Sequence, residues 1–379
     1  MDPSVTASFR SLPAPSFSGD HAKGVTAHGQ QEAFFHLALH QSKRVADLCA
    51  YFEKRRVQSL FLGANINGFE FQSPGWNVTT VGTDFFLGAD GISVAARKEE
   101  LEGSIVILNN NDVARLGHGP VWSDFQALHD KTLFILWDWD NHHWLEHSVF
   151  CAAHSDLYVP AQHENLYLLS RYNWAIAGPV YAASVQWSRR FLTEHTGYLL
   201  GTHRSNAPLG RHVLYPAYPF RNSVVNTLSG HYPSIGFSLQ NFHVRTPEDR
   251  LQEWSAHKLH WIMPVLNDIA IRIFDALITG GIPIVPASLQ SLAPVNTFPR
   301  EHVVFFPPEA ILHPEDLVQT ALARFDEGGL DQLLARHRFA LEQHHGSSRI
   351  IEILGYAQDR FGFVQPSPES AQAPPKAGA

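Results

Sequence analysis

The sequence contains few cysteines and no long apolar run, and these absences exclude several classes of protein. Only Cys49 and Cys151 are cysteines, so a disulfide framework is excluded and a reducing compartment is expected. No apolar stretch reaches the roughly 18 residues that a membrane-spanning helix needs. The N-terminus lacks the charged segment and apolar run of a signal peptide. These features predict a cytoplasmic protein without a transmembrane segment.

Charge is also scarce. Charged residues make up 17% of the chain and the formal net charge is -8, so no broad basic face for nucleic acid is predicted. Hydrophobic residues make up 44%, which is enough for sizeable cores, and 379 residues favour two domains. The first 28 residues and residues 365–379 are rich in Ser, Pro, Ala and Gly, and both segments are expected to be disordered. Residues 29–190 and 191–364 are then predicted as two domains.

Each of these two regions alternates short apolar runs with helical patterns. Continuous apolar runs bounded by turn residues are typical of parallel strands buried on both faces. The predicted strands of the first region are Ser59–Gly63, Ser104–Asn109, Lys131–Trp137, Leu157–Pro160 and a short fifth at Trp174–Pro179. In the second region we expect strands at Tyr198–Gly201, Ser234–Phe237 and His302–Phe306, and a helix at Trp254–Trp261. The pattern predicts an α/β protein of two Rossmann-like, doubly wound domains.

The stretch NDIAIRIFDALITGGIPIV, from Asn267 to Val285, is the most informative segment of the second region. It predicts a helix that opens at Asn267 and Asp268, ends at two glycines and leads into a buried strand. Such a helix presents its N-terminus to phosphates, and the acidic Asp275 is a candidate for binding ribose hydroxyls. Asp268 is a candidate N-cap, which would place its charge near those phosphates. An ordinary core helix with solvated Arg272 and Asp275 is the alternative.

RIFDALITGGIPIV resembles the C-terminal half of GT-B glycosyltransferases, in which a helix with an acidic residue precedes a glycine turn and an apolar strand. The resemblance covers residues 197–360 as a pattern and is sharp only over residues 267–285. Asp275 stands where the family usually has a ribose-binding Glu, and Arg272 stands where many members have no charge. The resemblance implies two domains facing across a cleft, a UDP- or GDP-linked sugar donor, and neither a cofactor nor a metal.

The same resemblance points to cations that neutralise the diphosphate of the donor. Arg204 and Arg221 follow the first predicted strand of the second region, and Lys258 lies in the element leading towards the helix. Each of these cations is otherwise an ordinary surface residue. The complete predicted donor-binding set is Arg204, Arg221, Lys258, Asn267, Asp268, Arg272 and Asp275.

A second candidate site is WDWDNHHWLEH, residues 137–147, directly after a predicted strand. One interpretation makes Asp138, Asp140, His142 or His143 the general base that deprotonates an acceptor hydroxyl, with the tryptophans against a sugar ring. A second makes Asp138-Trp139-Asp140 a metal-binding motif together with the histidines. A third is a structural network in which Asp140 or Asn141 caps the next helix. The GT-B resemblance disfavours the metal interpretation.

Polar loops follow three other predicted strands of the first region. These loops are Gly63–Gly68, Asn109–Asp112 and His163–Asn165. They are candidates for lining an acceptor site, and ordinary Asn- and Gly-rich turns or a helix start are the alternative.

Together these features predict a metal-independent glycosyltransferase that moves a sugar from a nucleotide sugar to a hydroxyl of a glycan, lipid-linked or protein acceptor. Peripheral contact with a membrane stays open, because many such enzymes act on lipid-linked acceptors. The alternatives are a nucleotide-sugar epimerase or hydrolase of the same fold, a non-catalytic nucleotide or carbohydrate binder, and a metal hydrolase centred on residues 138–147.

Overall fold

A computed structural model describes residues 39–87, 97–117, 131–140, 142–201, 203–238 and 245–366. It divides into two compact units, of which unit 1 contains residues 71–180 and unit 2 contains residues 181–349. Residues up to 67 and from 350 on belong to unit 1, and residues 68–70 belong to unit 2. Most of the predicted leader and tail lies outside the described residues.

Unit 1 is built on a five-stranded parallel sheet in the order β2-β1-β3-β4-β5. The strands are β1 Ser59–Gly63, β2 Asn77–Val81, β3 Ser104–Asn109, β4 Thr132–Asp138 and β5 Leu157–Pro160. The helices are α1 (residues 39–52), α2 Thr83–Leu87, α3 Lys98–Leu101, α4 Asn110–Leu116, α5 Leu145–Ala153 and α6 His163–Leu169. Every residue of the central strands β3 and β4 is buried, as continuous apolar runs in a covered parallel sheet require.

Unit 2 contains five short parallel strands. They are β6 Gly210–His212, β7 Ile235–Phe237, β8 Leu259–Trp261, β9 Ile282–Pro286 and β10 Val304–Phe306. Leu209, directly before β6, bonds to β8 through its N–H to the Leu259 carbonyl (2.9 Å) and through its carbonyl to the Trp261 N–H (2.7 Å). The strands therefore follow the order β7-β6-β8-β9-β10. The helices are α7 Arg189–Glu194, α8 Gly197–Leu200, α9 Pro219–His231, α10 Pro247–Ser255, α11 Ile271–Ile278 and α12 Pro314–Gln343. A further helix, α13 Gly346–Phe361, begins in unit 2 and belongs to unit 1 from residue 350 on.

The predicted fold class is confirmed, since each unit carries a parallel sheet with helices between its strands. In both units the first strand lies between the second and the third. The chain therefore reverses direction across the sheet beside that first strand. Ligands of open α/β sheets bind at such a switch point, outside the edge where the strands end. We call this edge the carboxyl edge.

Two predicted elements of unit 2 are wrong. Residues 198–201, predicted as a strand, fall largely in the short helix α8, and residues 254–261, predicted as a helix, contain the strand β8. Both segments are too short for an apolar period to distinguish helix from strand. The pairing of β8 with β9 is a tertiary interaction that no local pattern reports.

The division of the chain also differs from the predicted boundary between residues 190 and 191, because it falls before Tyr181. Residues 350–364, predicted in the C-terminal domain, belong to unit 1. The chain after α13 pairs there with residues 54–57. The Lys54 N–H donates to the Gly362 carbonyl (2.9 Å), and the Val57 N–H donates to the Val364 carbonyl (3.1 Å).

Candidate functional site

Arg221 lies at the carboxyl edge of unit 2, beside the switch point between β6 and β8. It belongs to the first turn of α9 and is buried. Its Nε donates to the carbonyls of Met263 (3.2 Å) and Pro264 (3.1 Å) after β8, and its Nη1 donates to the Val213 carbonyl (2.9 Å) after β6. Its Nη2 is buried and has no hydrogen-bond partner among the described residues. One N–H-bearing face of this guanidinium is therefore left for a further acceptor.

Arg272 adds a second guanidinium to the same place. It is half-buried in the first turn of α11, and its positive charge lowers the pKa of Arg221 after the larger effect of burial. Both arginines also lower the pKa of His212, the last residue of β6, which burial already holds well below its usual value. Asp268 raises the pKa of both arginines.

The helix α11 begins later than predicted. Its first residue is Ile271 and its N-cap is Ala270, which has no side chain able to cap. Asn267 and Asp268 lie in the preceding loop, after Leu266 with a φ of 58°. The helix begins three residues after Asp268, so Asp268 is not its N-cap. The first turn of α11 therefore has no side-chain cap beside Arg272, and within it the Ile273 N–H donates to the Ala270 carbonyl (3.0 Å).

Asp275 does not take the predicted place against a ribose. Its side chain is fully buried in α11 and accepts a hydrogen bond from Gln186 Nε2. Burial raises the pKa of Asp275 to about 7, while Ser184, Arg250 and Arg272 lower it. Asp275 in turn raises the pKa of Arg272. The buried Asp275 carboxyl group thus stabilises the positive charge of Arg272. It has no exposed surface that a ligand could contact.

Arg204 and Lys258 lie away from Arg221 and Arg272. Arg204 donates to the carbonyls of Thr279 (2.8 Å) and His257 (3.2 Å), which precede β9 and β8. Lys258 directly precedes β8 and forms an ion pair with Asp326 (2.7 Å). Both cations are therefore at the edge where strands begin, opposite the carboxyl edge. The sequence predicted Arg204 at the carboxyl edge because the segment before it was predicted as a strand, whereas that segment is the helix α8.

Asp138 ends β4 at the carboxyl edge of unit 1 and is fully buried. Its Oδ2 accepts a hydrogen bond from the Tyr158 hydroxyl, and its Oδ1 accepts one from the Asp140 N–H (3.2 Å). Burial raises the pKa of Asp138 to about 7, and the neighbouring Asp140 carboxyl contributes to the same increase. A side chain with no exposed surface cannot contact an acceptor, so Asp138 does not have the predicted role of a base.

Asp140 is the accessible one of the two aspartates in this segment, with about a third (32%) of its side chain exposed, and Glu146 in the first turn of α5 is also exposed. Its Oδ2 accepts a hydrogen bond from Asn110 Nδ2, and its Oδ1 lies 3.9 Å from Nε2 of His143. Burial raises the pKa of Asp140, whereas His143 and Asn110 lower it. The side chain of His142 lies outside the described part of the structure. Asp140, with His143 beside it, therefore has the exposure and proton affinity that a general base needs.

The network around Asp140 includes residues that the sequence indicated only as polar loops. Asn110 opens α4, and its Oδ1 accepts a hydrogen bond from the Trp139 N–H (3.0 Å). Asn165 in α6 donates to the Asp140 carbonyl (3.0 Å). Tyr158 was missed, because it lies within an apolar strand. The available signal was that a buried tyrosine usually needs a partner for its hydroxyl.

The loops after β1 and β3 meet at the switch point of unit 1 through Asp112. Its Oδ1 accepts hydrogen bonds from Asn65 Nδ2 (2.7 Å) and the Asn65 N–H (3.2 Å), and its Oδ2 accepts one from the Asn109 N–H (3.1 Å). Asn109 caps α4 reciprocally through the Asp112 N–H. Gly63 permits this approach, because an added Cβ would lie 2.0 Å from Asp112 Oδ2. The arrangement fixes the start of α4, which carries Asn110.

Gly63→Ala is expected to lower the free energy of unfolding by about 1–3 kcal/mol, because the new methyl group displaces the Asp112 carboxylate and breaks the capping box. Gly82→Ala is the matched control, since a Cβ there meets no atom within 4 Å. Urea denaturation of both variants measures the effect. Equal stabilities of the two variants would show that the contact at Gly63 relaxes without cost.

The described residues contain no group of three or more His, Cys, Asp or Glu side chains that could hold a metal ion. Among the same residues, no helix combines the length and apolar character needed to cross a bilayer.

Several solved structures are similar to this chain at low identity and with TM-scores below 0.5. One similar structure is HepE from Anabaena in complex with UDP-glucose, with 10% identity, a TM-score of 0.42, and coverage of 80% of this chain and 99% of that one. Sucrose-phosphate synthase from Thermosynechococcus elongatus has 12% identity, a TM-score of 0.42, and coverage of 79% and 100%. An α1,3-fucosyltransferase has 11% identity, a TM-score of 0.39, and coverage of 81% and 90%. No family model and no curated protein matches the chain. At these identities and TM-scores the similarities carry no argument about function, so the proposal below rests on the residues.

Proposed function

We propose that the protein is a glycosyltransferase that moves a sugar from a nucleoside-diphosphate sugar to a hydroxyl acceptor without a metal ion. The observation that carries the proposal is the pair Arg221 and Arg272 at the carboxyl edge of unit 2. Two guanidiniums, an unsatisfied buried N–H and an uncapped helix N-terminus suit a diphosphate.

Unit 2 supplies the chemistry of the leaving group. As the bond between the sugar and the diphosphate breaks, negative charge develops on the departing oxygen. Arg221 is held in place by three backbone carbonyls, so its charge is oriented before the reaction begins. Fixed positive charge of this kind stabilises the transition state more than the ground state. This is the role that a bound cation has in metal-dependent transferases, and it is the basis for proposing metal independence.

Unit 1 supplies the base. Asp140 accepts the proton of the acceptor hydroxyl as the new glycosidic bond forms. Its carboxyl group is exposed on one side and hydrogen-bonded to Asn110 on the other, so it is both accessible and oriented. The burial that raises the pKa of Asp140 increases its affinity for the transferred proton.

A thermal-shift panel with UDP-, GDP-, dTDP- and CMP-linked sugars, each in excess EDTA, tests the donor assignment. One nucleoside-diphosphate sugar is expected to raise the melting temperature in proportion to the logarithm of its concentration. CMP sugars, which carry a single phosphate, are expected to give a smaller shift. A panel in which no nucleotide sugar stabilises the protein would contradict the proposal.

A further inference from the structure

Asp138 and Tyr158 form a buried pair directly behind the proposed base. Both side chains are fully buried, and the phenol hydroxyl of Tyr158 on β5 donates to Oδ2 of Asp138 at the end of β4. Nδ2 of Asn165 lies 3.5 Å from the same oxygen. Neither side chain can reach a substrate, so the pair has no direct part in the proposed chemistry.

The pair is nevertheless connected to Asp140 through its backbone. Oδ1 of Asp138 accepts from the Asp140 N–H, and Asn165 Nδ2 donates to the Asp140 carbonyl. Asn110 holds the Asp140 side chain and the Trp139 N–H. Groups from β4, α4 and α6 therefore fix the main chain and side chain of a residue that lies in a loop. A loop residue held on all these sides has the pre-organisation expected of a catalytic group.

We infer that Asp138, held by Tyr158, is a positioning residue that fixes the Asp140 loop and adjusts the charge beside the base. This inference rests on the proposed function, in which Asp140 removes the acceptor proton. Asp138 acts through the backbone hydrogen bond to Asp140 and through its own negative charge. It touches neither donor nor acceptor.

The surroundings of Asp138 explain why its charge changes near neutral pH. Burial is the largest influence, followed by the Asp140 carboxyl, and together they raise its pKa to about 7 against the hydrogen bonds from Ser148 and Tyr158. Tyr158 keeps its proton, because burial and Asp138 raise the pKa of the phenol well above 10. From α5, burial holds His147 neutral at neutral pH by lowering its pKa, and it keeps the Cys151 thiol protonated by raising the pKa of that group. Asp138 is therefore the member of this group that titrates near pH 7.

The first consequence concerns the rate of transfer. As pH rises through 7, Asp138 becomes negative and increases the proton affinity of Asp140. The wild-type kcat is expected to increase roughly threefold to tenfold between pH 6 and pH 8. Asp138→Asn keeps an oxygen to accept from the Asp140 N–H but carries no charge. In this variant the increase is expected to disappear, with KM unchanged.

Tyr158→Phe provides a second variant with a different effect. It removes the hydrogen bond that lowers the pKa of Asp138, so the increase in kcat should move to higher pH. Asp84→Asn, which removes an exposed carboxyl group of α2, is the control and should leave the profile unchanged. A folded Asp138→Asn variant with the wild-type profile, or a Tyr158→Phe variant without a shift, would overturn the inference.

The stability of the protein reports the same titration without substrate. The pKa of Asp138 is higher in the folded state than its usual 3.8, so the folded protein holds a proton that the unfolded chain releases between about pH 4 and 7. The stability due to this proton is present at low pH and is lost as pH rises to 7. The difference in unfolding free energy between wild type and Asp138→Asn should change in that window.

Two outcomes distinguish a failure of the proposed function from a failure of the inference. If the stability difference changes as expected but the wild type transfers no sugar, the proposed function fails and the positioning role fails with it. If transfer occurs but the pH effects are absent, only the inference fails.

Discussion

Replacing Asp140 by asparagine is expected to lower kcat roughly 100- to 10,000-fold, because the acceptor hydroxyl loses the group that takes its proton. The amide side chain of this variant would retain the size of the carboxyl group and an oxygen able to accept from Asn110. The affinity for the donor should be unchanged, since the proposed diphosphate site lies in unit 2. Initial rates at saturating donor and acceptor, together with calorimetric donor binding, measure the two effects.

Asp84→Asn is the matched control for this change, because Asp84 is exposed in the same unit. It should keep wild-type kcat. The variant His143→Gln distinguishes the role of His143 from that of Asp140. If His143 were the base and Asp140 only its partner, the His143 variant would lose at least as much activity as Asp140→Asn, and the assignment to Asp140 would be wrong.

Arg272→Ala is expected to weaken binding of the nucleoside diphosphate roughly 10- to 100-fold, because each charge-assisted contact to a phosphate contributes about 1.5–3 kcal/mol. Arg272 is the better of the two arginines to change, since Arg221 also bonds to three carbonyls that organise the loops after β6 and β8. Isothermal titration calorimetry at fixed ionic strength gives the affinity. Thermal denaturation without ligand shows whether the fold is retained.

Arg190→Ala is the control for charge alone. Arg190 is exposed in the same unit and pairs with Glu194 in the next turn of α7. It should bind nucleotide as the wild type does. If the Arg190 and Arg272 variants bound nucleotide with equal affinity, the diphosphate would not bind at the carboxyl edge of unit 2. A similar titration of Lys258→Ala should show no loss, because Lys258 lies at the opposite edge.

The sequence predicted the parts of the fold that depend on local pattern. SIVILN and KTLFILW are continuous apolar runs, and both form buried strands, β3 and β4. The helix, glycine turn and strand at residues 271–286 are also present as α11 and β9. The position of each cation depended instead on tertiary pairing. The three-residue strand β8 has no readable period, and the short helix α8 was predicted as a strand, so the sequence placed Lys258 and Arg204 on the wrong side of the sheet.

Burial was the other property that the sequence did not report. Asp138 and Asp140 are two residues apart in one motif, yet one is fully buried and the other is accessible. Strand alternation alone cannot decide this, because Asp138 is the last residue of the strand and Asp140 lies in the loop. Asp275 shows the same difficulty. Its position in the motif favoured a ligand contact, whereas Gln186, distant in sequence, covers it in the folded unit.

The measurement that tests the central claim most directly is the balance of donor consumption and product formation by the wild-type protein in excess EDTA. The proposal predicts that nucleoside diphosphate is released only when an acceptor is present, with one glycosylated acceptor formed for each diphosphate. Mass spectrometry of both products gives this ratio. Donor consumed without acceptor would indicate a hydrolase or epimerase, donor bound but never consumed would indicate a binding protein, and activity abolished by EDTA would indicate a metal-dependent enzyme. Each of these results would contradict the proposal.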